Sequence, residues 1–263
     1  MNGEPHHLTV YSDLHADARA ANPELIKAHM DKRAALPRSH FFLLGDAGDY
    51  IIPQDKKRHR ASVTREELLG VDDYIDMAVE LQVEELKAYN WIAAGMGNHC
   101  DAVLKHHGTN PMRRLCRKLM IPFAGFTGFL RIRFLGRSDG MSGSVFNLLY
   151  HHGAWGGRVI KGYGGARDYA RHFEGWDVFC YGHNHQLNVH HEAMMNMNSQ
   201  GNLMKRSVFY VNTGTFLETY NDGGESTYGE IRGYPPVALS APLITITPLR
   251  NHELSVSVTA GEM

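Results

Sequence analysis

Five short polar clusters carry residue types that bind metal ions, and each follows a short apolar run. They are Asp13-Leu14-His15, Gly45-Asp46-Ala47-Gly48-Asp49, Gly97-Asn98-His99, His151-His152-Gly153 and Gly182-His183-Asn184-His185. Carboxylate and amide oxygens together with imidazole nitrogens suit first-row divalent cations. A lone D-x-H or H-x-H has many chance matches. Five such clusters in order, each closing an apolar run, point to metal-dependent hydrolysis. The chain holds 17 histidines in 263 residues, and several of them fall in these clusters.

The runs that precede the clusters read as buried strands: Leu8 to Tyr11, Phe41 to Leu44, Trp91 to Ala94, Val145 to Tyr150 and Val178 to Tyr181. In open α/β sheets the ligand site lies beyond the carboxyl ends of the strands, so distant pieces of chain can meet in one pocket. Residues i and i+2 of a strand share a side, which would aim Asp13 with His15, and His183 with His185, at common ions. Between the strands, Pro23 opens a helix to about Ala35 after Asn22. Val71, Tyr74, Ile75, Ala78, Leu81 and Tyr89 recur at helical spacing, which predicts a helix from Val71 to Asn90. Asn110-Pro111 opens a basic helix to about Met120, Phe129 to Phe134 reads as a strand, and a short helix is expected near Asp168 to Phe173. The charged segment Pro53 to Arg65 reads as a loop.

Past His185 the texture changes. Leu187 to His191, Ser207 to Val211, Leu243 to Thr247 and Leu254 to Val258 alternate or run β-branched between Gly, Asn and Pro turns. No repeat or linker interrupts the chain. Residues 1–263 therefore read as one α/β domain, two sheets flanked by helices, with a β-rich part from about 186 to 263.

The order D-x-H, G-D-x-x-D, G-N-H, H-G, G-H-x-H resembles the signature of the calcineurin-like metallophosphoesterase superfamily. Here it stands as Asp13/His15, Asp46/Asp49, Asn98/His99, His152-Gly153 and His183/His185. The resemblance implies a four-layer α-β-β-α sandwich of two mixed sheets and two divalent metal ions, manganese first, with iron, zinc or nickel as alternatives. One ion would take Asp13, His15 and His185. The other would take Asn98, His152 and His183, with Asp46 bridging the two. Hydrolysis would proceed by attack on phosphorus of a hydroxide that the ions activate. His99 would stabilise the transition state and protonate the leaving oxygen, and Asp49 would orient His99.

The sequence also departs from that pattern. The acidic residue that often follows G-N-H is replaced by Cys100, with Asp101 one step later. The D-R-G extension of protein Ser/Thr phosphatases is absent, because Asp49 is followed by Tyr50-Ile51. The resemblance therefore implies a phosphodiesterase, with phosphomonoesters as a further substrate class, rather than a protein phosphatase. A nuclease acting on DNA or RNA is the alternative within the family, and a binding module that kept the fold without catalysis is the alternative outside it. None of the ligand positions is replaced, which argues against the latter. Gly156-Gly157-Arg158 and Arg232-Gly233-Tyr234-Pro235-Pro236 are similar to segments of phage or prophage members.

Other positions admit plainer readings beside the functional ones. Only one of His151 and His152 can face a metal, and His152, next to Gly153, is preferred. Asp49 could instead cap a helix or turn. Cys100, beside His99, reads as a small packing residue rather than a nucleophile. Arg158 could clamp a substrate phosphate, since guanidinium pairs bidentately with phosphate; Gly156 and Gly157 could serve only to shape a turn. His6-His7, His106-His107 and His190-His191 lack a motif and read as surface or strand-edge residues. The basic runs 56–60 and 113–118 are solvated faces or, alternatively, a track for nucleic-acid phosphates.

Composition narrows the class further. The 27 Lys plus Arg balance 28 Asp plus Glu, for a formal charge of −1, so global charge does not announce a nucleic-acid binder. With 43% hydrophobic and 21% charged residues the chain can bury a sizeable core. Three unpaired cysteines, Cys100, Cys116 and Cys180, point to a reducing, cytoplasmic setting. The polar start, Met1 to His7, does not read as a signal peptide. No run approaches the roughly 18 apolar residues of a membrane span. The expected partner is a phosphoester substrate, small molecule or nucleic acid, with no membrane.

Overall fold

Alternation of burial along short apolar strands builds two sheets. The computed structural model describes residues 3–52, 64–69, 73–135, 143–155, 162–198, 200–220, 226–249 and 253–261. The first sheet orders β11 (Leu254–Thr259), β10 (Leu243–Pro248), β1 (His6–Tyr11), β2 (Ser39–Leu43), β3 (Trp91–Gly95) and β4 (Phe123–Gly125). β1 to β4 run parallel, while β10 and β11 join antiparallel at one edge. The second sheet orders β5 (Thr127–Leu135), β6 (Gly143–His151), β7 (Val178–Tyr181), β9 (Leu203–Thr213) and β8 (Leu187–Met197). β6, β7 and β9 are parallel there, with antiparallel strands at both edges.

Three clusters of buried side chains define four layers. Leu8, Val10, Phe42, Phe146, Val178 and Ile244 meet between the sheets. Tyr11, Phe41, Leu43 and Trp91 point out of the first sheet beneath α1 (Pro23–Ala34), α2 (Tyr74–Leu86), α3 (Asn98–His107) and α4 (Pro111–Leu119). Leu149, Phe179 and Tyr210 point out of the second sheet, beneath Ala166 and Ala170 of α5 (Tyr163–Ala170). Strands covered on both faces lack polar alternation, which is why β1, β2 and β7 read as unbroken apolar runs. The chain is an α-β-β-α sandwich of two mixed sheets, the architecture that the motif resemblance implies.

Several elements differ from their sequence reading. The long helix stops at Leu86, because the Leu86 carbonyl turns to accept Tyr89 N–H at 3.2 Å and the Trp91 indole N–H at 2.8 Å. The short helix lies at Tyr163–Ala170 rather than near Asp168–Phe173, its buried face made of alanines, which give little hydrophobic periodicity. α3 has no counterpart in the sequence reading; it begins inside the third polar cluster. β8 and β9 each run 11 residues in unbroken register, longer than their apolar centres. The β-rich tail supplies two strands of the second sheet, β9 inside and β8 at its edge, and β10 and β11 at an edge of the first, together with one short helix, α6 (Tyr228–Arg232). No described helix is long and apolar enough to cross a membrane.

Candidate metal centre

β1, β2, β3, β6 and β7 all deliver their following residues to the same end of the sandwich. Beyond β1 and β2 the two chains stay side by side. Asp13 N–H donates to Gly45 O at 3.1 Å, His15 N–H to Asp46 O at 3.2 Å and Ala16 N–H to Ala47 O at 2.8 Å. The strand conformation itself has ended. Asp13 (φ 51°), His15 (46°), Asp46 (45°), His183 (73°) and His185 (58°) are all left-handed. Asp13 therefore meets His15 through tight left-handed turns and not through the i, i+2 alternation of a strand, while His183 and His185, expected to share an ion, part: His185 joins Asp13 and His15, and His183 joins Asp46 and His152. Asp and His tolerate this region better than most residues, yet it costs free energy and persists where the surroundings impose it.

These turns bring ligand atoms from both sheets together. Asp13, His15 and His185 form one group whose ligand atoms lie within 4.8 Å of one another; Asp46, His152 and His183 form a second, and His15, Asp46 and His99 a third. Asp46 thus belongs to groups on both sides. His152 Nε2 lies 3.0 Å from both Asp46 Oδ2 and Asn98 Oδ1, and His183 Nδ1 lies 2.7 Å from Asn98 Oδ1. His15 Nε2 faces His185 Nε2 at 3.2 Å. All seven expected ligands, Asp13, His15, Asp46, Asn98, His152, His183 and His185, are gathered here. His151 is not: it accepts Gly153 N–H at 2.8 Å and packs against Trp155 and Tyr169. Burial lowers its pKa to about 4.

The donor set fits cations. Asp13 is 0% exposed, and its Oδ1 has no hydrogen-bond partner. A buried carboxylate oxygen without a donor is costly unless a cation meets it. Burial alone would raise the pKa of Asp13 and Asp46. The imidazoles of His185 and His152 outweigh it at Asp13, and His152 and His99 outweigh it at Asp46, holding both carboxyls far below their usual range. Burial likewise lowers the His15 pKa, but Asp49, Asp46 and Asp13 overcome that and lift it to about 10.

Backbone geometry supports the carboxylates. Ser12 Oγ–H donates to Asp13 Oδ2 at 2.5 Å, and His183 N–H from the opposite sheet donates to the same oxygen at 3.0 Å. The amino end of α3 aims at Asp46, whose Oδ1 accepts His99 N–H at 3.1 Å. Gly97 is required at this approach, because a Cβ there would overlap the Asp46 carboxylate.

Asp49 holds two histidines. Its carboxylate accepts from His15 Nδ1 at 2.7 Å, and its backbone carbonyl accepts from His99 Nδ1 at 2.9 Å. The expected carboxylate contact to His99 is a longer 3.4 Å, so the shorter carboxylate bond goes to the metal-ligand candidate. Both acceptors fix the ring proton on Nδ1, which leaves Nε2 of each ring for chemistry. Cys100 is fully buried, and burial pushes its thiol pKa well up, as befits a packing residue.

Two supporting groups lie outside the motif reading. Asp17, fully buried, accepts from Asp49 N–H, Tyr50 N–H and Tyr74 O–H. Thr215, just past β9, donates its hydroxyl to Asp13 O at 2.7 Å. Asn212-Thr213-Gly214-Thr215 is a sixth polar cluster at a strand end, the same signal that marks the other five. Of the remaining positions, the run 113–118 lies on α4, where Arg114 and Lys118 pair with Asp76 and Glu80 of α2, and Arg113 stacks on Phe123. Arg158, Gly156, Gly157 and the run 56–60 lie outside the described residues.

No family model and no curated protein matches the sequence. Solved structures similar to it include Vps29 from Entamoeba histolytica complexed with zinc, at 12% identity, covering 96% of this chain and 98% of that one with a TM-score of 0.40. GAP50, the anchor in the inner membrane complex of Plasmodium, is similar at 9% identity, 97% and 84% coverage and a TM-score of 0.44. The nuclease MPE of Pseudomonas putida is similar at 14% identity, 95% and 87% coverage and a TM-score of 0.33. These are distant likenesses. The reading of the site rests on its own residues.

Proposed function

We propose that this protein is a dinuclear metal-dependent phosphoesterase acting on phosphodiesters. The observation that supports it is the convergence of seven oxygen- and nitrogen-bearing side chains from five separate strand ends, with Asp46 placed between two sets. Asp13, His15 and His185 would hold one divalent ion, and Asn98, His152 and His183 the other, with Asp46 shared. Ions so held supply Lewis acidity toward phosphoryl oxygens and acidify water near neutral pH.

The chain's own groups do the rest. The Asp49 carboxylate holds the His15 ring through Nδ1 and so aims Nε2 at the ion site, where a bound cation would take the place of the second ring proton. His99, its Nδ1–H held by the Asp49 carbonyl, carries the exchangeable proton on Nε2 and delivers it to the leaving oxygen. Its ring is 19% exposed, the access a substrate oxygen needs. Diesters are preferred over phosphoproteins because Tyr50-Ile51 stands where protein phosphatases extend their second motif.

The test is metal content of the purified protein, followed by a substrate panel with added manganese. The panel compares bis-p-nitrophenyl phosphate, cyclic nucleotides, phosphomonoesters, RNA, and single- and double-stranded DNA. The expected result is about two equivalents of metal and turnover of diesters. Protein that holds metal but cleaves no ester would overturn the enzymatic reading in favour of a binding module. Cleavage confined to DNA or RNA, falling steeply with salt, would move the assignment to a nuclease.

A further inference from the structure

The five motifs leave one fully buried charged side chain beneath the site without a role. Asp17 lies two residues past His15, and its carboxylate spends three acceptor positions on one loop and one helix. Oδ1 accepts Asp49 N–H at 2.5 Å. Oδ2 accepts Tyr50 N–H at 2.9 Å and the hydroxyl of Tyr74, the first residue of α2, at 2.5 Å. The Asp17 carboxylate hydrogen-bonds to neither His15 nor His99. It touches the residue that holds both.

We propose that Asp17 is a positioning residue, fixing the backbone of Asp49 and Tyr50 so that His15 and His99 are aimed together. This rests on the phosphoesterase reading of the site. Asp49 reaches His15 with its side chain and His99 with its carbonyl, so a rotation of that one residue moves both rings. The rings lie 5.0 Å apart at 78°, a mutual arrangement set through this single residue. Tyr50 is left-handed at φ 47°, an unfavourable conformation for a bulky side chain, and needs an external restraint to persist. Its N–H bond to Asp17 is such a restraint. Gly48 lies close against the same group: a Cβ there would overlap Gln82 Nε2 first and then lie 2.8 Å from Asp17 Oδ1, so the loop packs tightly on both side chains.

The experiment compares wild type, Asp17→Asn, Tyr74→Phe and a control, Asp177→Asn. Asp177 also caps a backbone N–H, that of Asn147 at 2.8 Å, but precedes β7 at the end of the sandwich away from the site. Asparagine at 17 keeps the shape but offers one of the loop N–H groups another N–H. The expected result is a kcat lowered roughly 10- to 100-fold with KM within about threefold, and manganese affinity by calorimetry weakened roughly tenfold. The loss should be larger for a diester with an alkyl leaving group than for bis-p-nitrophenyl phosphate, because a misaimed His99 matters most when the leaving oxygen needs a proton. A merely structural role would not discriminate leaving groups, and Asp177→Asn should show neither effect.

Tyr74→Phe removes one donor and buries no new polar group, with an expected drop in kcat of about threefold. Should Asp17→Asn be recovered unfolded, Tyr74→Phe decides by the same readouts. Wild-type protein with neither manganese affinity nor esterase activity overturns the phosphoesterase reading and this assignment with it. Active wild type beside a folded variant whose kcat, leaving-group dependence and manganese affinity are all unchanged overturns the assignment alone.

Discussion

Asp46 shows how little latitude single residues have in this site. Its Oδ2 lies 3.0 Å from His152 Nε2, its Oδ1 accepts the His99 amide in the first turn of α3, and Gly97 leaves no space beyond it. Gly97→Ala should therefore push the carboxylate aside and weaken metal binding about as severely as Asp46→Ala, while far-ultraviolet circular dichroism stays unchanged; equilibrium dialysis with manganese checks this. His183→Ala removes a proposed ligand atom, and the expected outcome is loss of one metal equivalent and of nearly all turnover. His99→Ala should keep both equivalents and lower kcat by roughly 10² to 10⁴, most for alkyl leaving groups. An alkyl diester hydrolysed by His99→Ala at the wild-type rate would remove His99 from the acid role. Residue type and order made all these positions readable in the sequence. Left-handed turns at the ligands were not readable, because Asp and His adopt them only when flanking loops impose them. Asp17 stayed hidden because two of its three partners are backbone amides, which leave no trace in side-chain spacing, and the third, Tyr74, lies 57 residues away.

At the scale of elements, legibility followed local chemistry. Asn110-Pro111 announced α4, and the Asn110 side chain does cap it, accepting Arg113 N–H at 3.0 Å. Asn110→Ala should cost about 1 kcal/mol, read as a lower urea midpoint at unchanged slope, with metal content unaffected. Asn22 plays the same part for α1, accepting Leu25 N–H at 2.9 Å. α3 was illegible because its first residues, Asn98 and His99, belong to the third polar cluster, so the glycine and histidine there read as a loop motif. α5 was displaced in the reading because Ala166 and Ala170 bury well yet barely register as hydrophobic periodicity. The ends of β8 and β9 were missed for the opposite reason. Their ladder is held by backbone pairing out to Met197 and Leu203, although the side chains there are exposed.

For the whole molecule, His29 ties three distant pieces together. It lies on α1, its Nδ1 is 2.9 Å from the Tyr11 hydroxyl of β1, and its Nε2 is 3.2 Å from Ser240 Oγ ahead of β10. Burial, with Arg33 and Lys32 nearby, lowers its pKa to about 4. An unfolded imidazole takes up its proton near pH 6.5, whereas the folded one stays neutral until about pH 4. Unfolding therefore takes up a proton between these values, so stability is greatest above pH 6.5 and declines as pH falls toward 4. The full loss from this group is roughly 3 kcal/mol at the acid end. Urea denaturation from pH 7 to pH 4 should show that slope together with the like contribution of His151, and His29→Gln should make it shallower by its own share.

One feature reaches across the sandwich. Asp13, His15 and Asp46 come from the first sheet, while His152, His183 and His185 come from the second, so each half of the polypeptide owns only half a cage. A fragment ending before β6 would fold no complete coordination shell, and neither would its complement. If the proposed ions bind here, manganese uptake would gauge whether the two sheets have docked in register, and would report assembly even when turnover is silent.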